Sequence, residues 1–258
     1  VSSATSGFAR VNAERLTSAA SEPDQWMTYG GTYQEQRFSQ LDQINKTNVA
    51  DLGLAWFADL GTNRGQESTP LMIDGTIYVS ESWSKVNAYD ARTGELLWHY
   101  NPQVPGEFGG KGCCDVVNRG VAAWNGKIYV GAYDGRLIAL DAKTGAEVWS
   151  TVTTDQSQWY SMTGAPRVAN GKVFIGNAGA EYIYRGYVSA YDAETGELVW
   201  RFYTVPGNPA DGFESDAMRM AAETWSGNWW EYGGGGSTWD AITYDAQTNL
   251  LLFGVGNG

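Results

Sequence analysis

Two adjacent cysteines are the chemically most unusual feature of this 258-residue chain. They lie in the motif Lys111-Gly-Cys-Cys-Asp-Val-Val-Asn-Arg-Gly, and the sequence has no other cysteine. Neighbouring Cα atoms lie about 3.8 Å apart across a trans peptide, whereas relaxed disulfides span about 4.4–6.8 Å. A Cys113–Cys114 bond must therefore strain or twist its own peptide, and such strain clusters at functional sites. The alternative is two reduced thiols in a cytosolic core, which the poor core residues Gly112 and Asp115 disfavour.

A second candidate lies in the segment Asn177-Ala-Gly-Ala-Glu-Tyr-Ile-Tyr-Arg-Gly. Gly179 and Ala180 allow close approach of the backbone to a ligand, and Glu181 supplies a hard oxygen ligand suited to Ca²⁺. The alternative is a solvated surface loop.

A third candidate is the glycine-rich segment Gly233-Gly-Gly-Gly-Ser-Thr-Trp-Asp. Four glycines let a backbone press against a flat object, and Trp239 would then form one wall of a slot. The alternative is a flexible linker, which three nearby tryptophans disfavour. Glu67 and Thr163 are further polar candidates, although both residue types are common at turns and strand ends.

The sequence contains an internal repeat, and the structural units that it encodes must position these candidate residues. Three segments of similar sequence begin at Ala88, Ala139 and Ala190, each 51 residues after the last, with six identical positions: AYDARTGELLW, ALDAKTGAEVW and AYDAETGELVW. Each segment predicts a hairpin whose Asp bonds the turn backbone and whose Gly adopts positive φ. A further strand pattern precedes each hairpin. Four short strands in about 50 residues predict one β-propeller blade.

The repeat also predicts how the blades pack. Trp98, Trp149 and Trp200 occupy the same position in the three copies. A large apolar ring with one N–H donor can wedge between neighbouring sheets and donate to the next blade. Trp56 indicates an earlier, degenerate blade. The segment from Tyr244 resembles a worn copy with Phe253 at the tryptophan position, so we expect four blades with parts of one or two more.

The repeat is longest where Glu181 lies. The first glycine of the strand pattern and the turn aspartate are 15 residues apart in the first two copies and 21 apart in the third. Six extra residues therefore fall within the Glu181 segment, and departures from a repeat are where function concentrates.

Composition excludes several classes of function. A formal net charge of −12 argues against nucleic-acid binding. A hydrophobic fraction of 43% excludes a wholly disordered chain, and no apolar stretch is long enough to cross a bilayer. The single histidine, His99, excludes a multi-histidine metal site. We expect an N-terminal extension over residues 1–25 and part of a larger propeller over residues 26–258.

Together these motifs resemble the pyrroloquinoline quinone (PQQ)-dependent alcohol dehydrogenases, above all the quinohaemoprotein ethanol dehydrogenases and next the methanol dehydrogenases. The resemblance runs from Trp26 to the last residue, and the vicinal cysteine motif is its most discriminating part. It implies an all-β, eight-bladed propeller, of which this chain covers about half. It also implies oxidation of a primary alcohol to an aldehyde, with electrons passed to a cytochrome.

The resemblance carries over to named residues. It implies a quinone held between a Cys113–Cys114 disulfide and Trp239. The positions matching those that hold the cofactor's carboxylates and carbonyls are Glu67, Arg119, Thr163, Gly179, Ala180 and Ser237, where the family usually has Thr at the last. Glu181 and Asn257 match two ligands of Ca²⁺, or of a lanthanide.

Further parts implied by the resemblance lie beyond Gly258. They are the aspartate general base, the rest of the ring and, in quinohaemoproteins, a haem c domain. The vicinal disulfide and Ca²⁺ suit an oxidising compartment and predict the periplasm. The alternative function is a non-enzymatic propeller of the same repeat that acts as a binding or assembly module.

Overall fold

The computed structural model describes residues 8–256. Each of the three repeated segments, together with the strand pattern that precedes it, forms one four-stranded antiparallel sheet. Blade 1 contains β1 Leu71–Ile73, β2 Thr76–Ser80, β3 Val86–Asp90 and β4 Leu96–Tyr100. Blade 2 contains β5 Ala122–Trp124, β6 Lys127–Gly131, β7 Arg136–Asp141 and β8 Glu147–Val152. Blade 3 contains β9 Arg167–Ala169, β10 Lys172–Gly176, β11 Tyr187–Asp192 and β12 Leu198–Tyr203. Within each blade the strands pair in chain order, which confirms the predicted propeller blades.

The turn between the third and fourth strands of a blade follows the predicted chemistry. In blade 1 the Asp90 carboxylate accepts hydrogen bonds from the backbone N–H groups of Arg92 at 3.0 Å and Thr93 at 2.8 Å. Gly94 adopts a φ of +74°, a backbone conformation that residues other than glycine rarely adopt. The repeated Asp-Ala-x-Thr-Gly sequence is therefore the turn itself.

The repeated tryptophans join neighbouring blades as predicted. The Trp98 Nε1–H donates to the Ala142 carbonyl of blade 2 at 3.0 Å, and the Trp149 Nε1–H donates to the Ala193 carbonyl of blade 3 at 3.2 Å. The Trp98 indole rests on the next turn, where a Cβ built on Gly145 would lie 2.7 Å from the ring. This glycine therefore serves both the turn and the packing between blades.

Trp56 docks in the same way onto blade 1. Its Nε1–H donates to the Ala91 carbonyl at 3.1 Å, and its indole lies against Gly94. Between residue 8 and Leu71, however, the structure contains no strand. Trp56 therefore has the contacts of a blade tryptophan without a described sheet of its own.

The last hairpin differs from the prediction. Strands β13 Ile242–Asp245 and β14 Leu250–Phe253 pair only with each other. Strand β13 contacts β9, as β9 contacts β5, so β13 occupies the place of a first strand. The isolated pairing of Ser237 with Gly256 beside this hairpin matches that of Ser161 with Ala178 beside β9 and β10.

The interpretation of Phe253 as a repeat tryptophan is therefore wrong. Its ring packs against Phe202 of blade 3, with ring centroids 6.4 Å apart. Asp245 and Thr248 form the same kind of local turn as the repeat, but in a different hairpin. The described residues thus form three complete blades and the first two strands of a fourth, not four blades with parts of others.

Residues before the first blade pack on the core. Helix α1 Ala13–Thr17 buries Leu16, and the Tyr33 hydroxyl donates to the Val168 carbonyl at 2.9 Å. Helix α2 Asp216–Ala222 lies in the long connection between blade 3 and β13. None of the helices in residues 8–256 has the length and apolar character needed to span a membrane.

Candidate functional site

Four of the predicted site residues occupy corresponding places in the fold. Glu67, Arg119, Thr163 and Trp239 each precede the first strand of a unit: β1, β5, β9 and β13. Backbone hydrogen bonds join the segments that lead into these first strands; the Arg119 N–H, for example, donates to the Thr163 carbonyl at 3.0 Å. The propeller therefore brings side chains separated by more than 170 residues to one rim.

Arg119 connects these side chains. Its Nη1 donates to the Thr163 Oγ1 at 2.7 Å, and its Nη2 lies 2.7 Å from the Glu67 Oε2. Its guanidinium carbon lies 4.7 Å from the centroid of the Trp239 ring. The Arg119 side chain is 15% exposed and that of Glu67 is 41% exposed. The cation is thus held by a hydroxyl, a carboxylate and an aromatic face.

The two cysteines form a disulfide, as the resemblance implied. Cys113 and Cys114 are bonded, with their Cα atoms 3.8 Å apart. The next residue, Asp115, has a φ of +71°. Its carboxylate accepts a hydrogen bond from the Val116 N–H at 2.8 Å and pairs with Arg64 at 2.6 Å. The hydrogen bond from the Val116 N–H lowers the pKa of Asp115, and the hydrogen bond from Arg64 lowers it further.

Neighbouring segments anchor the disulfide loop. Lys111 donates to the backbone carbonyls of Gln156 at 2.6 Å and Gln158 at 2.9 Å. The fully buried Tyr133 packs against Gly112, where a Cβ would lie 1.9 Å from the tyrosine oxygen. Burial raises the pKa of Tyr133 to about 12. Sequence reasoning missed Lys111 and Tyr133: the first lies inside the cysteine motif, whereas no local pattern marks the second.

One cleft of about 200 Å³ is lined by both the disulfide and the Trp239 indole. Arg119, Thr163 and Glu181 also line it. The remaining lining residues are Gly112, Asp115, Val117, Ser161 and Ala178. Residues from three predicted motifs therefore meet in one place, with apolar surfaces and a single guanidinium facing the same space.

The six extra residues of blade 3 lie between β10 and β11 and form the loop that carries Glu181. A 3-10 turn spans Ala180–Tyr182, and Gly179 before it adopts a φ of +115°. A Cβ on Gly179 would lie 2.9 Å from the Trp159 carbonyl oxygen, so this close approach requires glycine. Glu181 is exposed at the edge of the cleft.

One of the two predicted cation ligands, Glu181, lies within the described residues. Over residues 8–256, no three His, Cys, Asp or Glu side chains cluster closely enough to hold a metal ion. Asn257, the second predicted ligand, lies outside the described residues. Glu181 is therefore the part of the proposed ligand set whose position is known.

The glycine-rich segment packs against blade 3, and not against the flat object that its sequence predicted. The Gly235 carbonyl accepts a hydrogen bond from the Gly186 N–H at 2.8 Å. Gly236 has a φ of +76°, and a Cβ there would lie 2.6 Å from the Val205 side chain. The glycines thus let this segment support the Glu181 loop, and the flexible-linker alternative is wrong.

Four predicted residues do not line the cleft. Glu67 is connected to it through Arg119. Ser237 is fully buried, with its hydroxyl 3.4 Å from the Gly256 carbonyl. Gly179 and Ala180 contribute as the backbone that presents Glu181, and Ala180 lines a neighbouring pocket.

The neighbouring pocket is aromatic and shares Glu181 with the cleft. It is also lined by Ala180, Trp225, Trp229, Tyr232, Gly234 and Gly235. Trp229 is fixed by its Nε1–H, which donates to the Pro206 carbonyl at 2.8 Å, and its ring lies 5.7 Å from that of Trp225. The tryptophans around the glycine segment therefore form an ordered cluster.

Comparison with known proteins agrees with this geometry. Residues 26–258 match the PQQ family model described as glucose/ethanol/alcohol dehydrogenase, beta-propeller domain. The chain is 55% identical over 258 residues to the quinohemoprotein alcohol dehydrogenase of Comamonas testosteroni, covering 99% of this chain and 36% of the relative. The chain thus spans about a third of the length of this relative.

Solved structures give the same result. The quinohemoprotein alcohol dehydrogenase ADHIIG of Pseudomonas putida HK5 superposes with a TM-score of 0.96 at 54% identity, covering 98% of this chain and 37% of that one. A europium-containing methanol dehydrogenase superposes with a TM-score of 0.85 at 37% identity, covering 94% of this chain and 44% of that one.

Proposed function

This chain belongs to the family of PQQ-dependent glucose, ethanol and alcohol dehydrogenase β-propellers, and we propose that it forms the N-terminal part of an enzyme that oxidises a primary alcohol to an aldehyde. The proposal extends to the whole protein what the names of its relatives state for them: alcohol dehydrogenase activity in Comamonas testosteroni and in Pseudomonas putida.

The observation that carries the proposal is the shared cleft of the disulfide, Trp239 and Arg119. PQQ is a flat ring system with carboxylates on its edge, so it requires apolar faces and cationic or hydrogen-bonding edges. Cys113–Cys114 and Trp239 would supply the faces. Arg119 and Thr163 would bind an edge carboxylate through charge-assisted bonds. These residue types fit the cofactor.

The remaining predicted residues would act around this core. Glu67 would orient Arg119 and approach the cofactor edge. The backbone at Gly179 and Ala180 would complete the set of polar groups, and Ser237, whose buried hydroxyl lies against the Gly256 carbonyl, would support the segment before Trp239 from outside the cleft. Glu181 would contribute a carboxylate to Ca²⁺ or a lanthanide, with Asn257 as a second ligand.

The reaction then divides between cofactor and protein. When bound, PQQ supplies the hydride acceptor for the alcohol carbon. The residues of this chain would bind the ring, hold its edge and exclude water from its faces. An aspartate outside this chain would take the alcohol proton.

The electron acceptor and the location are inferred from chemistry. The relatives' name quinohemoprotein includes a haem, so we propose a cytochrome or an attached haem c domain as the acceptor. A disulfide exposed to ligand persists in an oxidising compartment, which supports a periplasmic location.

The test uses the full-length protein that contains this chain. It is mixed with PQQ and Ca²⁺ and gel-filtered, and retained quinone absorbance and alcohol-dependent reduction of an artificial acceptor dye are measured. We expect retention and dye reduction in the native protein and loss of both in Glu181→Ala. Glu194→Ala is the matched control, because Glu194 pairs with Lys127 away from the cleft. A native protein that retains no PQQ would contradict the proposal and favour a non-enzymatic binding propeller.

A further inference from the structure

Residues 155–160, which lie between β8 and β9, contact both the loop that carries the Cys113–Cys114 disulfide and the loop that carries Glu181. We propose that this support loop sets the position of the disulfide relative to Glu181, and that Lys111 is the positioning residue that attaches it to the disulfide loop. The inference rests on the proposed function in one respect, because it takes the disulfide and Glu181 to be parts of one cofactor site.

The support loop is an ordered turn. The Asp155 carboxylate accepts hydrogen bonds from the Ser157 N–H at 3.0 Å and from the Ser157 hydroxyl at 2.6 Å. The Gln158 N–H donates to the Asp155 carbonyl at 3.1 Å. An aspartate that bonds the backbone two residues further on stabilises a turn. The Gln156 side chain donates to the Asp134 carbonyl at 3.0 Å, so the turn is also attached to blade 2.

Lys111 joins the disulfide loop to this turn. Its Nζ donates to the Gln156 carbonyl at 2.6 Å and to the Gln158 carbonyl at 2.9 Å. The same ammonium lies 4.2 Å from the centroid of the buried Phe108 ring. A lysine ammonium has three N–H donors, and hydrogen bonds from a charged donor are stronger than those from a neutral one. Cys113 follows two residues later, so Lys111 holds the chain just before the disulfide.

The other side of the support loop packs against the Glu181 loop. The centroids of the Trp159 and Tyr182 rings lie 5.2 Å apart, and a Cβ on Gly179 would lie 2.9 Å from the Trp159 carbonyl oxygen. Tyr182 directly follows Glu181, and Gly179 precedes it by two positions. The support loop therefore contacts the chain on both sides of the carboxylate.

Tyr160 extends this contact to the end of the Glu181 loop. Its hydroxyl donates to the Arg185 carbonyl at 3.2 Å, and its ring centroid lies 5.0 Å from that of Tyr184. Lys111 and this row of aromatic residues thus act on one short turn from two sides. A turn released by the loss of the Lys111 ammonium would loosen both loops together.

The test compares Lys111→Met with Lys111→Arg and Lys127→Met in the full-length protein. Methionine keeps an unbranched apolar stem beside Phe108 and removes the ammonium, whereas arginine keeps a cation with several N–H donors. Lys127 is a matched control, because its ammonium pairs with Glu194 at 2.5 Å and does not line the cleft. We expect all three variants to keep the fold.

Two readouts separate a shared support from a local anchor. In the PQQ-free protein, amide hydrogen exchange should accelerate about tenfold in Lys111→Met, both over residues 106–116 and over residues 177–186. The dissociation constant for PQQ should rise about tenfold in the same variant. Lys111→Arg should restore most of the native exchange and affinity, and Lys127→Met should leave both unchanged.

The reciprocal variant is Trp159→Leu, which removes the ring contact with Tyr182 at a position that is 46% exposed. It should accelerate exchange over residues 106–116, on the opposite side of the support loop, and weaken PQQ binding. If Lys111→Met does not fold, Trp159→Leu carries both measurements.

The outcomes are distinct. Exchange over residues 177–186 that stays native in Lys111→Met would overturn the shared support. An unchanged dissociation constant in Lys111→Met, where the native protein binds PQQ, would overturn the positioning role. Accelerated exchange over both segments in a protein whose native form binds no PQQ would support the shared support and contradict the proposed function.

Discussion

The guanidinium carbon of Arg119 lies 4.7 Å from the centroid of the Trp239 indole ring. The two residues are 120 positions apart and lie in the segments that lead into β5 and β13, so their contact requires the propeller to be assembled. A cation on the face of an indole contributes from about 0.5 to 2 kcal/mol, depending on desolvation. The cleft therefore has an ordered cationic edge before any ligand binds.

The hydrogen bond from Arg119 to Thr163 provides the first prediction. Thr163→Val removes the hydroxyl that accepts from Arg119 at 2.7 Å, and hydrogen bonds to charged groups contribute about 1.5–3 kcal/mol. We expect PQQ titration of the full-length protein to give a dissociation constant at least about tenfold higher. Thr151→Val removes a hydroxyl bound to the Gly196 carbonyl on an outer strand and serves as the control. Equal effects of both variants on affinity would contradict the prediction.

The disulfide provides the second prediction. Replacing Cys113 and Cys114 together by serine removes one proposed face of the cleft but keeps the anchors of the loop at Lys111 and Tyr133. We expect an unchanged far-ultraviolet circular dichroism spectrum and loss of PQQ retention on gel filtration. Full retention of PQQ by this variant would show that the disulfide is not part of the binding surface.

The sequence predicted the parts of the fold that a local pattern encodes. The turn at Asp90 and the contact of Trp98 with the next blade follow from residues that recur every 51 positions. The final hairpin differs from the prediction because Asp245 forms the same local turn in another pair of strands. A turn sequence fixes a hairpin but not its place in a blade.

The site was predictable to a similar extent. The cysteine motif and the six extra residues before Asp192 marked it, because both depart from the repeat. The supporting contacts of Tyr133 and Lys111 were not predictable, since they join segments far apart in sequence. The four glycines before Ser237 contact blade 3 and not the predicted flat object, because their small size suits either partner.

Packing between blades provides the third prediction. Gly145 and Gly75 both have positive φ, +70° and +83°, but a Cβ on Gly145 would lie 2.7 Å from the Trp98 indole, whereas a Cβ on Gly75 would meet nothing within 4 Å. Gly75→Ala should cost about 1–2 kcal/mol from backbone strain alone. Gly145→Ala should cost about 1–3 kcal/mol more, because the indole must move. Denaturant unfolding of the full-length protein measures the difference, and equal losses would contradict it.

The turn aspartates provide the fourth prediction. The backbone and hydroxyl of Thr93 lower the pKa of Asp90 in the folded chain. The unfolded chain therefore binds more protons at acid pH, so this contribution to stability is present above the ordinary carboxyl pKa and is lost as the pH falls below about 3.9. Asp90→Asn should reduce the free energy of unfolding at pH 7, and its difference from the native protein should shrink as the pH falls. A difference that stays constant with pH would contradict this origin.

The fifth prediction concerns the backbone contact beneath the cleft. Gly164→Ala would place a Cβ 2.4 Å from the Trp239 carbonyl oxygen, so the tryptophan segment must shift. Gly106→Ala is the control, because its Cβ would meet nothing within 4 Å and neither glycine has positive φ. We expect PQQ affinity to fall about tenfold or more in Gly164→Ala and to stay unchanged in Gly106→Ala. A crystal structure of Gly164→Ala should show a longer distance from Arg119 to the indole than the native 4.7 Å. Native affinity with a displaced indole would mean that Trp239 is not a face of the PQQ site.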